Sequence, residues 1–253
     1  MSKLLPVKIN CFWVILLLSP SISGAADFSG LKELPPDLLH GAQEEVRPEG
    51  ILTLLAAGAG AAISRYGHTA HTDDFRIADT LAINTPLGKR VTDFGAAIGY
   101  PAYLMPATVI TYFAGSYFDS RPAQEFGLLG FEALSLSGIE TLILKYSVHR
   151  LRPDLSDRAA FPSGHTAASF SLAAVAASQW GWKVGIPSFL LASFVGYTRM
   201  EGKNHYLSDV LFATGVGIAS GRAVYKVRRR AHPDRYSFAP FVSPGGCGVA
   251  VVF

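Results

Sequence analysis

Apolar residues recur along the chain in stretches of helical length, and each stretch ends at proline, glycine, aspartate or basic residues. Such residues are typical of helix ends. No run of strict alternation between apolar and polar residues, which would indicate strands, interrupts this pattern. It therefore predicts an all-α body, a bundle of about five to six apolar helices. We place them at roughly residues 51–64, 94–116, 126–144, 166–181, 184–198 and 207–225.

Residues 1–26 carry the pattern of a secretory signal peptide. Lys3 and Lys8 precede a short apolar run, and small residues follow at positions 23–26. The apolar run is shorter than the ~20 residues that a membrane-spanning helix needs, which favours a cleaved signal over an uncleaved anchor. We therefore expect export to a bacterial-type cell envelope.

Two further segments flank the helical region, which we place at residues 51–230. Residues 27–50 are predicted to be a polar leader, with an extended chain over its proline-containing part at 27–48. In the tail, residues 231–253, turn residues separate two β-prone runs. This arrangement predicts a small β-hairpin packed on the helical body.

Composition excludes several classes of protein. The chain has 253 residues, of which 49% are hydrophobic, and this excludes a disordered chain. Its formal net charge of +3 is too small to indicate nucleic-acid binding. The two cysteines are Cys11, inside the predicted signal, and Cys247, so we expect no internal disulfide in the mature chain. No cysteine and histidine residues have the spacing of a zinc site.

The low charge content makes the helices candidates for membrane spans, since 16% of the residues are charged and soluble domains have about a quarter. Only 94–116 is long and uncharged enough to cross about 30 Å of hydrocarbon comfortably. Five crossings, with 51–64 outside the membrane, place the 145–165 loop in the periplasm and the basic residues of 222–230 in the cytoplasm. Six crossings place that loop in the cytoplasm, whereas a soluble periplasmic bundle keeps it in the periplasm. We favour the membrane-embedded bundle.

The first candidate motif combines two cations at a helix end. Lys145 ends an apolar helix, and Pro153 disfavours helix at Arg152, so the chain turns away there. Lys145 and Arg152 are about two helical turns apart, which lets both converge on one anion. Arginine offers a planar fork to phosphate oxygens, whereas lysine acts as a mobile point charge. The alternative is a basic helix end that complements the dipole. His149 and Arg150 are expected to be solvated.

The second motif, Pro162-Ser163-Gly164-His165, marks the start of another helix. The unpaired N–H groups of a helix start can bind an anion. Gly164 lets the backbone approach a ligand closely, Ser163 adds a hydroxyl donor, and His165 lies beside whatever binds there. An ordinary capped helix with an incidental histidine is the alternative.

The third motif places His205 and Asp209 four residues apart, on one face of a helix. The carboxylate can accept the proton of one imidazole nitrogen and leave the other as an aimed nucleophile or base. Arg199, at the end of the preceding helix, can reach the same anion. A surface hydrogen bond is the alternative for this pair when it is taken alone.

Together the three motifs resemble those of the type 2 phosphatidic acid phosphatase superfamily, whose pattern is K-x6-RP, then PSGH, then SR-x5-H-x3-D. In this chain the pattern falls on Lys145, Arg152, Pro153, residues 162–165, Thr198, Arg199, His205 and Asp209. Thr198 stands where the family usually has serine, and it keeps the hydroxyl. The motifs span 145–209, and the helical pattern extends the resemblance over roughly residues 80–225.

The resemblance implies a PAP2-like helical bundle that acts as a metal-independent phosphatase without a cofactor. It implies that His205 attacks phosphorus to form a phosphohistidine, and that Asp209 orients His205. His165 is expected to protonate the leaving oxygen and later to help activate water. The residues expected to hold the phosphoryl oxygens are Lys145, Arg152, Ser163, Gly164 and Arg199. Such a set suits phosphoryl transfer, which depends mainly on positioning and charge neutralisation.

The implied substrate is a lipid phosphate monoester or diphosphate at the periplasmic face of the inner membrane. Undecaprenyl diphosphate, phosphatidate, phosphatidylglycerol phosphate and lipid A phosphates all fit the family, and transfer to another lipid would use the same residues. One alternative is a vanadium haloperoxidase, which the superfamily also contains and which is generally longer and soluble. The other is a non-catalytic envelope protein that binds anions. Bromide oxidation with added vanadate tests the first alternative, and absence of phosphate release from several lipids favours the second.

Overall fold

The computed structural model describes residues 34–66, 74, 76–77, 80–81, 84, 87–231, 237–243 and 246–252. The helices whose bounds fall in these residues are α1 Leu34–Glu45, α2 Pro48–Tyr66, α3 Lys89–Ile98, α4 Pro101–Tyr117, α5 Arg121–Val148, α6 Gly164–Trp180, α7 Trp182–Glu201 and α8 Leu207–Ala231. The all-α prediction for the body of the chain is confirmed. The predicted signal peptide, residues 1–26, lies outside the described residues.

Helix α6 is the central element of the bundle and packs against α5, α7 and α8. Leu129, Val175 and Val224 join α5, α6 and α8 in one buried cluster. Ala167 and Val216 form part of a second cluster between α6 and α8. Because α6 and α8 both begin at residues of the candidate motifs, this packing fixes the distance between those motifs.

Two glycines let the backbones of α6 and α8 approach each other. A Cβ at Gly217 would lie 2.4 Å from the carbonyl oxygen of Ala167, and a Cβ at Gly221 would lie 2.4 Å from that of Ser171. The two glycines are one helical turn apart on α8, the arrangement that allows close helix contact in membrane proteins. Any larger residue at either position must push the two helices apart.

The single helix predicted over 94–116 is wrong, because the chain breaks between α3 and α4. Gly99 is the C-cap of α3, and its N–H donates to the carbonyl of Gly95 at 3.3 Å. Pro101 then takes the first position of α4. Proline suits that position, since the N–H that it lacks would have no partner inside the helix.

This break changes which helix can cross a membrane. Among the described residues, α5 is the one helix that is long and apolar enough to span by itself, and α1 with α2 adds a second only if this pair, bent by 65°, counts as one span. Helices α4 and α6 have 17 residues each, fewer than the ~20 of a typical span. Helix length and composition together therefore do not bear out the five crossings that we expected.

The prediction of an extended leader over 27–48 is also wrong for its described part, because residues 34–45 form α1. Pro35 and Pro36 lie in the first turn of this helix, where a missing N–H removes no hydrogen bond. Asp37 of α1 accepts a hydrogen bond from Arg228 at 3.0 Å. Helix α1 is thus tied to the last turn of α8.

The tail forms the β-hairpin that its sequence predicts. Strand β1, Ser237–Ser243, pairs antiparallel with β2, Gly246–Val252, and Pro240 lies opposite Val249. That the hairpin packs on the helical body stays a prediction.

Candidate active site

Four helix ends meet where the candidate motifs lie: the C-terminal ends of α5 and α7 and the N-terminal ends of α6 and α8. The Ser163 N–H, at the start of α6, donates to the carbonyl of Asp209 in α8 at 3.3 Å. The His205 N–H donates to the carbonyl of Arg199, near the end of α7, at 3.2 Å. Lys145, in the last turn of α5, donates to the carbonyl of Ala159 at 2.5 Å. These contacts bring residues that are far apart in sequence to one place.

The second motif builds the start of α6 as predicted. Ser163 is the N-cap and is fully buried, and its hydroxyl accepts a hydrogen bond from Thr166 at 2.9 Å. A Cβ at Gly164 would have Thr141 as its nearest described neighbour, at an ordinary contact distance of 3.6 Å. Packing therefore does not require glycine at 164, whereas close approach of an anion to this helix start would favour it.

The three cations of the motifs all lie within electrostatic reach of His165, in the first turn of α6. Arg152 is in the loop after α5, where its Nε donates to Asp157 at 2.7 Å. Arg199 donates to the side-chain oxygen of Asn204 through one terminal nitrogen, while its Nε is buried without an acceptor among the described residues. A buried donor of this kind is costly unless an acceptor binds to it, and a phosphate oxygen is a suitable one.

His205 is buried, and a main-chain carbonyl fixes the orientation of its ring. Its Nδ1 lies 2.5 Å from the oxygen of Ala160 and 3.8 Å from Oδ2 of Asp209. Since a carbonyl oxygen can only accept, Nδ1 must carry the proton, which leaves the Nε2 lone pair free. The acceptor nearest to Nδ1 is therefore the carbonyl of Ala160. The sequence pattern had indicated Asp209 as the group that orients the ring.

Asp209 has other partners that explain this distance. Its Oδ2 accepts the main-chain N–H of Tyr206 at 2.8 Å, so the carboxylate caps the first turn of α8. Its Oδ1 accepts a hydrogen bond from Arg150. The carboxylate still lies close enough to His205 to favour a positive charge on the imidazole.

Arg150 is a residue for which the prediction from the sequence is wrong. We expected it to be solvated, but its side chain is 9% exposed and forms ion pairs with Asp74 and Asp209. Its guanidinium also lies over the ring of Tyr206, 4.1 Å from the centroid. His149, in contrast, is exposed as expected. Asp74 was missed altogether, because it belongs to none of the motifs.

His165 lies in the first turn of α6 and stacks on Tyr100, with ring centroids 5.3 Å apart. Its pKa is lowered to about 3, mainly because burial disfavours the charged ring, and then because Arg199, His205, Arg152 and Lys145 act on it. All four residues are thus within electrostatic reach of His165. Burial likewise lowers the pKa of His205, against the opposing effect of Asp209. Both imidazoles are neutral at pH 7.

Comparison with known proteins bears directly on this cluster. The family model described as the PAP2 superfamily matches residues 127–233 of the chain. Residues 127–233, called the PAP2 region below, are thus similar to the PAP2 superfamily. All eight motif residues that we singled out for a role lie in this PAP2 region, and so does Arg150, whereas Asp74 lies before it.

Two relatives of the PAP2 region are informative. The chain is 38% identical over 84 residues to a lipid A 1-phosphatase of Porphyromonas gingivalis, and the match covers 32% of this chain and 19% of the relative. Among solved structures, it resembles a transmembrane PAP2 type phosphatidylglycerolphosphate phosphatase from Bacillus subtilis, with a TM-score of 0.60 and 22% identity. That match covers 73% of this chain and 98% of the solved chain. The PAP2-like helical fold is therefore confirmed.

The described residues include no group of three or more histidine, cysteine, aspartate or glutamate side chains that could hold a metal ion.

Proposed function

We propose that this protein is a PAP2-type phosphatase that hydrolyses a lipid phosphate or diphosphate through a phosphohistidine at His205. The observation that carries the proposal is that three cations and a second imidazole act electrostatically on one buried helix start. Phosphoryl transfer needs this combination of charge neutralisation and positioning. Each charge-assisted hydrogen bond to a phosphoryl oxygen contributes roughly 1.5–3 kcal/mol, so several of them lower the barrier substantially.

In the first step the Nε2 lone pair of His205 attacks phosphorus, and the bond from phosphorus to the leaving oxygen breaks. Lys145, Arg152, Arg199 and the N–H groups at the start of α6 hold the phosphoryl oxygens. His165 gives its proton to the leaving oxygen. In the second step water attacks phosphorus, His165 takes a proton from that water, the bond from phosphorus to Nε2 of His205 breaks, and phosphate leaves.

His165 needs a proton for the first step, although its pKa is low without a ligand. Burial is the larger cause of this low pKa and persists in the complex, but the negative charge of a phosphoryl group offsets the cations that also lower it, so substrate binding raises the pKa. A larger fraction of protonated His165 is therefore expected in the complex with substrate than in the free protein.

Three observations support a lipid as the substrate. The two relatives described above are named for phosphorylated lipids, lipid A 1-phosphate and phosphatidylglycerolphosphate. Helix α5 is long and apolar enough to span a membrane. Near the site, Tyr100 and Tyr103 are exposed and in contact, and tyrosine is typical of the membrane–water interface.

We place the site at the periplasmic face of the inner membrane. Helix α8 begins at the site and ends 25 residues later with Arg228, Arg229 and Arg230 in its last turn. At 1.5 Å per residue, the basic end lies about 37 Å from the site. Helix α8 packs against α5, the helix that is long and apolar enough to span. With α8 beside α5, the positive-inside rule assigns this basic end to the cytoplasm and leaves the site on the opposite side.

The test is phosphate release by the purified full-length protein from phosphatidate, phosphatidylglycerol phosphate, undecaprenyl diphosphate and lipid A, beside water-soluble p-nitrophenyl phosphate. We expect at least one lipid to be preferred by kcat/KM, and activity to be unchanged by EDTA. His205→Ala should lower kcat by at least about 10³-fold, as expected for loss of a covalent nucleophile.

His40→Ala is the matched control, because His40 is an exposed histidine of α1 and its variant should keep the wild-type rate. Near-wild-type turnover by His205→Ala ends the nucleophile assignment. Loss of activity on chelation contradicts the metal-free reaction, and failure on all four lipids contradicts the substrate class.

A further inference from the structure

A chain of buried charges runs from the segment between α2 and α3 to the start of α8. Asp74 and Asp209 are 2% and 0% exposed, and Arg150 lies between them. Its Nη2 is 2.9 Å from Oδ2 of Asp74, and its Nη1 donates to Oδ1 of Asp209 and, at 2.6 Å, to the hydroxyl of Ser208. Two buried carboxylates thus share one guanidinium.

Arg150 also acts through its main chain. Its carbonyl oxygen accepts the N–H of Ala160 at 3.0 Å, and the carbonyl of Ala160 is the group that contacts Nδ1 of His205 at 2.5 Å. The other group near Nδ1 is Asp209, which the Arg150 side chain holds. One residue therefore supports both oxygens that face the Nδ1 side of His205.

Asp74 fixes the guanidinium in turn. Its carboxylate accepts the main-chain N–H of Ser208 at 3.0 Å, the Ser208 hydroxyl at 2.6 Å and the Ser64 hydroxyl at 3.1 Å. Ser208 is in the first turn of α8, whose N–H groups need outside acceptors. Asp74 thus links the end of α2 and the start of α8 to Arg150.

We propose that Arg150, held in place by Asp74, is a positioning residue that fixes the ring of His205 for attack through Nε2. The proposal rests on the phosphatase function and the nucleophile role proposed above. Arg150 acts through Ala160 and Asp209 and needs no contact with substrate, which separates it from the phosphate-binding cations Lys145 and Arg152. Replacing Arg150 is therefore predicted to change kcat rather than KM.

Removing Arg150 has a second consequence, because it leaves Asp74 and Asp209 buried without their shared cation. Breaking a buried ion pair in this way is strongly destabilising. A loss of activity in an Arg150 variant alone could thus come from unfolding, so the test must separate stability from positioning.

The test compares four variants with the wild type: Arg150→Met, Arg150→Lys, Asp74→Asn and the double variant Arg150→Met/Asp74→Asn. For each protein, Tm is measured by thermal unfolding, and kcat and KM are measured with the preferred lipid as substrate. We expect Arg150→Met to lower Tm and to lower kcat about 10- to 100-fold, the range for residues that orient metal-binding histidines, with KM nearly unchanged. The double variant should recover part of the lost Tm, since the uncompensated Asp74 charge is gone while that of Asp209 remains, but it should not recover kcat. Asp74→Asn should lower kcat less than Arg150→Met does. Arg150→Lys should keep part of the kcat that Arg150→Met loses.

Recovery of both Tm and kcat in the double variant overturns the proposal, because Arg150 would then serve folding alone. A raised KM at unchanged kcat overturns it too, since that result indicates direct binding of substrate. If Arg150→Met does not fold, the double variant and Arg150→Lys still decide. An inactive wild type on every substrate contradicts the proposed function instead, so the two failures are distinguishable.

Discussion

His205 shows how a single main-chain contact selects the reactive atom of a side chain. The carbonyl of Ala160 accepts a hydrogen bond from the Nδ1–H of His205, and Nε2 is left as the nitrogen with a lone pair. Burial keeps the ring neutral by lowering its pKa. Both effects prepare His205 to act as a nucleophile before a substrate arrives.

This account predicts the titration of His205. The pKa of its ring is lowered by burial, and of the charged groups that act on it Asp209 raises the pKa while Lys145 and Arg152 lower it. The lone pair is lost only below the folded-state pKa, so we expect His205 to titrate with a midpoint below the usual value of about 6.5. The measurement is ¹⁵N NMR of histidine-labelled protein, in which His205→Ala identifies the signal. A midpoint at or above 6.5 would contradict the burial argument.

Spacing in the sequence indicated the motif residues, because a helix sets the relation between neighbours such as His205 and Asp209. It could not indicate Arg150 as a buried residue, since its partner Asp74 is 76 positions away in a segment without a pattern. The carbonyl of Ala160 carried no signal either, because any residue type supplies one. The position of Arg150 between Lys145 and Arg152 was the one feature of the sequence that could have indicated its place in the site.

At the scale of elements, the contact between α6 and α8 holds the two halves of the site together. Helix α6 begins at Gly164, next to His165, and α8 begins at Leu207, two residues before Asp209. Gly217 lets the two backbones touch. The distance between the site residues thus depends on a residue about two helical turns away along α8.

Gly217→Ala is therefore expected to damage both stability and activity. Its Cβ would lie 2.4 Å from the carbonyl oxygen of Ala167, and overpacking of this kind costs typically about 1–3 kcal/mol. The shift of α8 against α6 should lower kcat about 10- to 100-fold, because misplacement of reacting groups by about 1 Å has effects of that size. Thermal unfolding and phosphate release measure the two effects.

Gly138→Ala in α5 is the matched control, because nothing described lies within 4 Å of a Cβ there. Alanine should stabilise this position by about 0.5–1 kcal/mol, since it favours helix more than glycine does. Equal behaviour of the two variants would show that the α6–α8 contact does not position the site.

The hydrophobic pattern located most helices but not their ends. It merged α3 and α4, because Gly99 and Pro101 lie within a stretch that is apolar on both sides. It also assigned the prolines of residues 34–45 to an extended chain, although a proline is equally suited to the first turn of a helix. Local residue types set these boundaries, and apolar content does not report them.

At the scale of the whole molecule, the bundle separates two charged ends. The candidate active site lies at one end of α8, and Arg228 at the other end of α8 pairs with Asp37 of α1. The sequence pattern anticipated this separation through the basic residues of 222–230. The pairing of α1 with that basic end followed only from the fold, since 191 positions separate Arg228 from Asp37.

The central claim is that His205 takes the phosphoryl group from the substrate, and trapping this intermediate tests it most directly. Full-length protein is mixed with ³²P-labelled substrate and quenched in alkali, in which a phosphohistidine survives, and the labelled peptide is then sequenced. We expect acid-labile label on the peptide that contains His205, and none in His205→Ala. Label on a different residue, or turnover of the wild type without any labelled enzyme, would contradict the account.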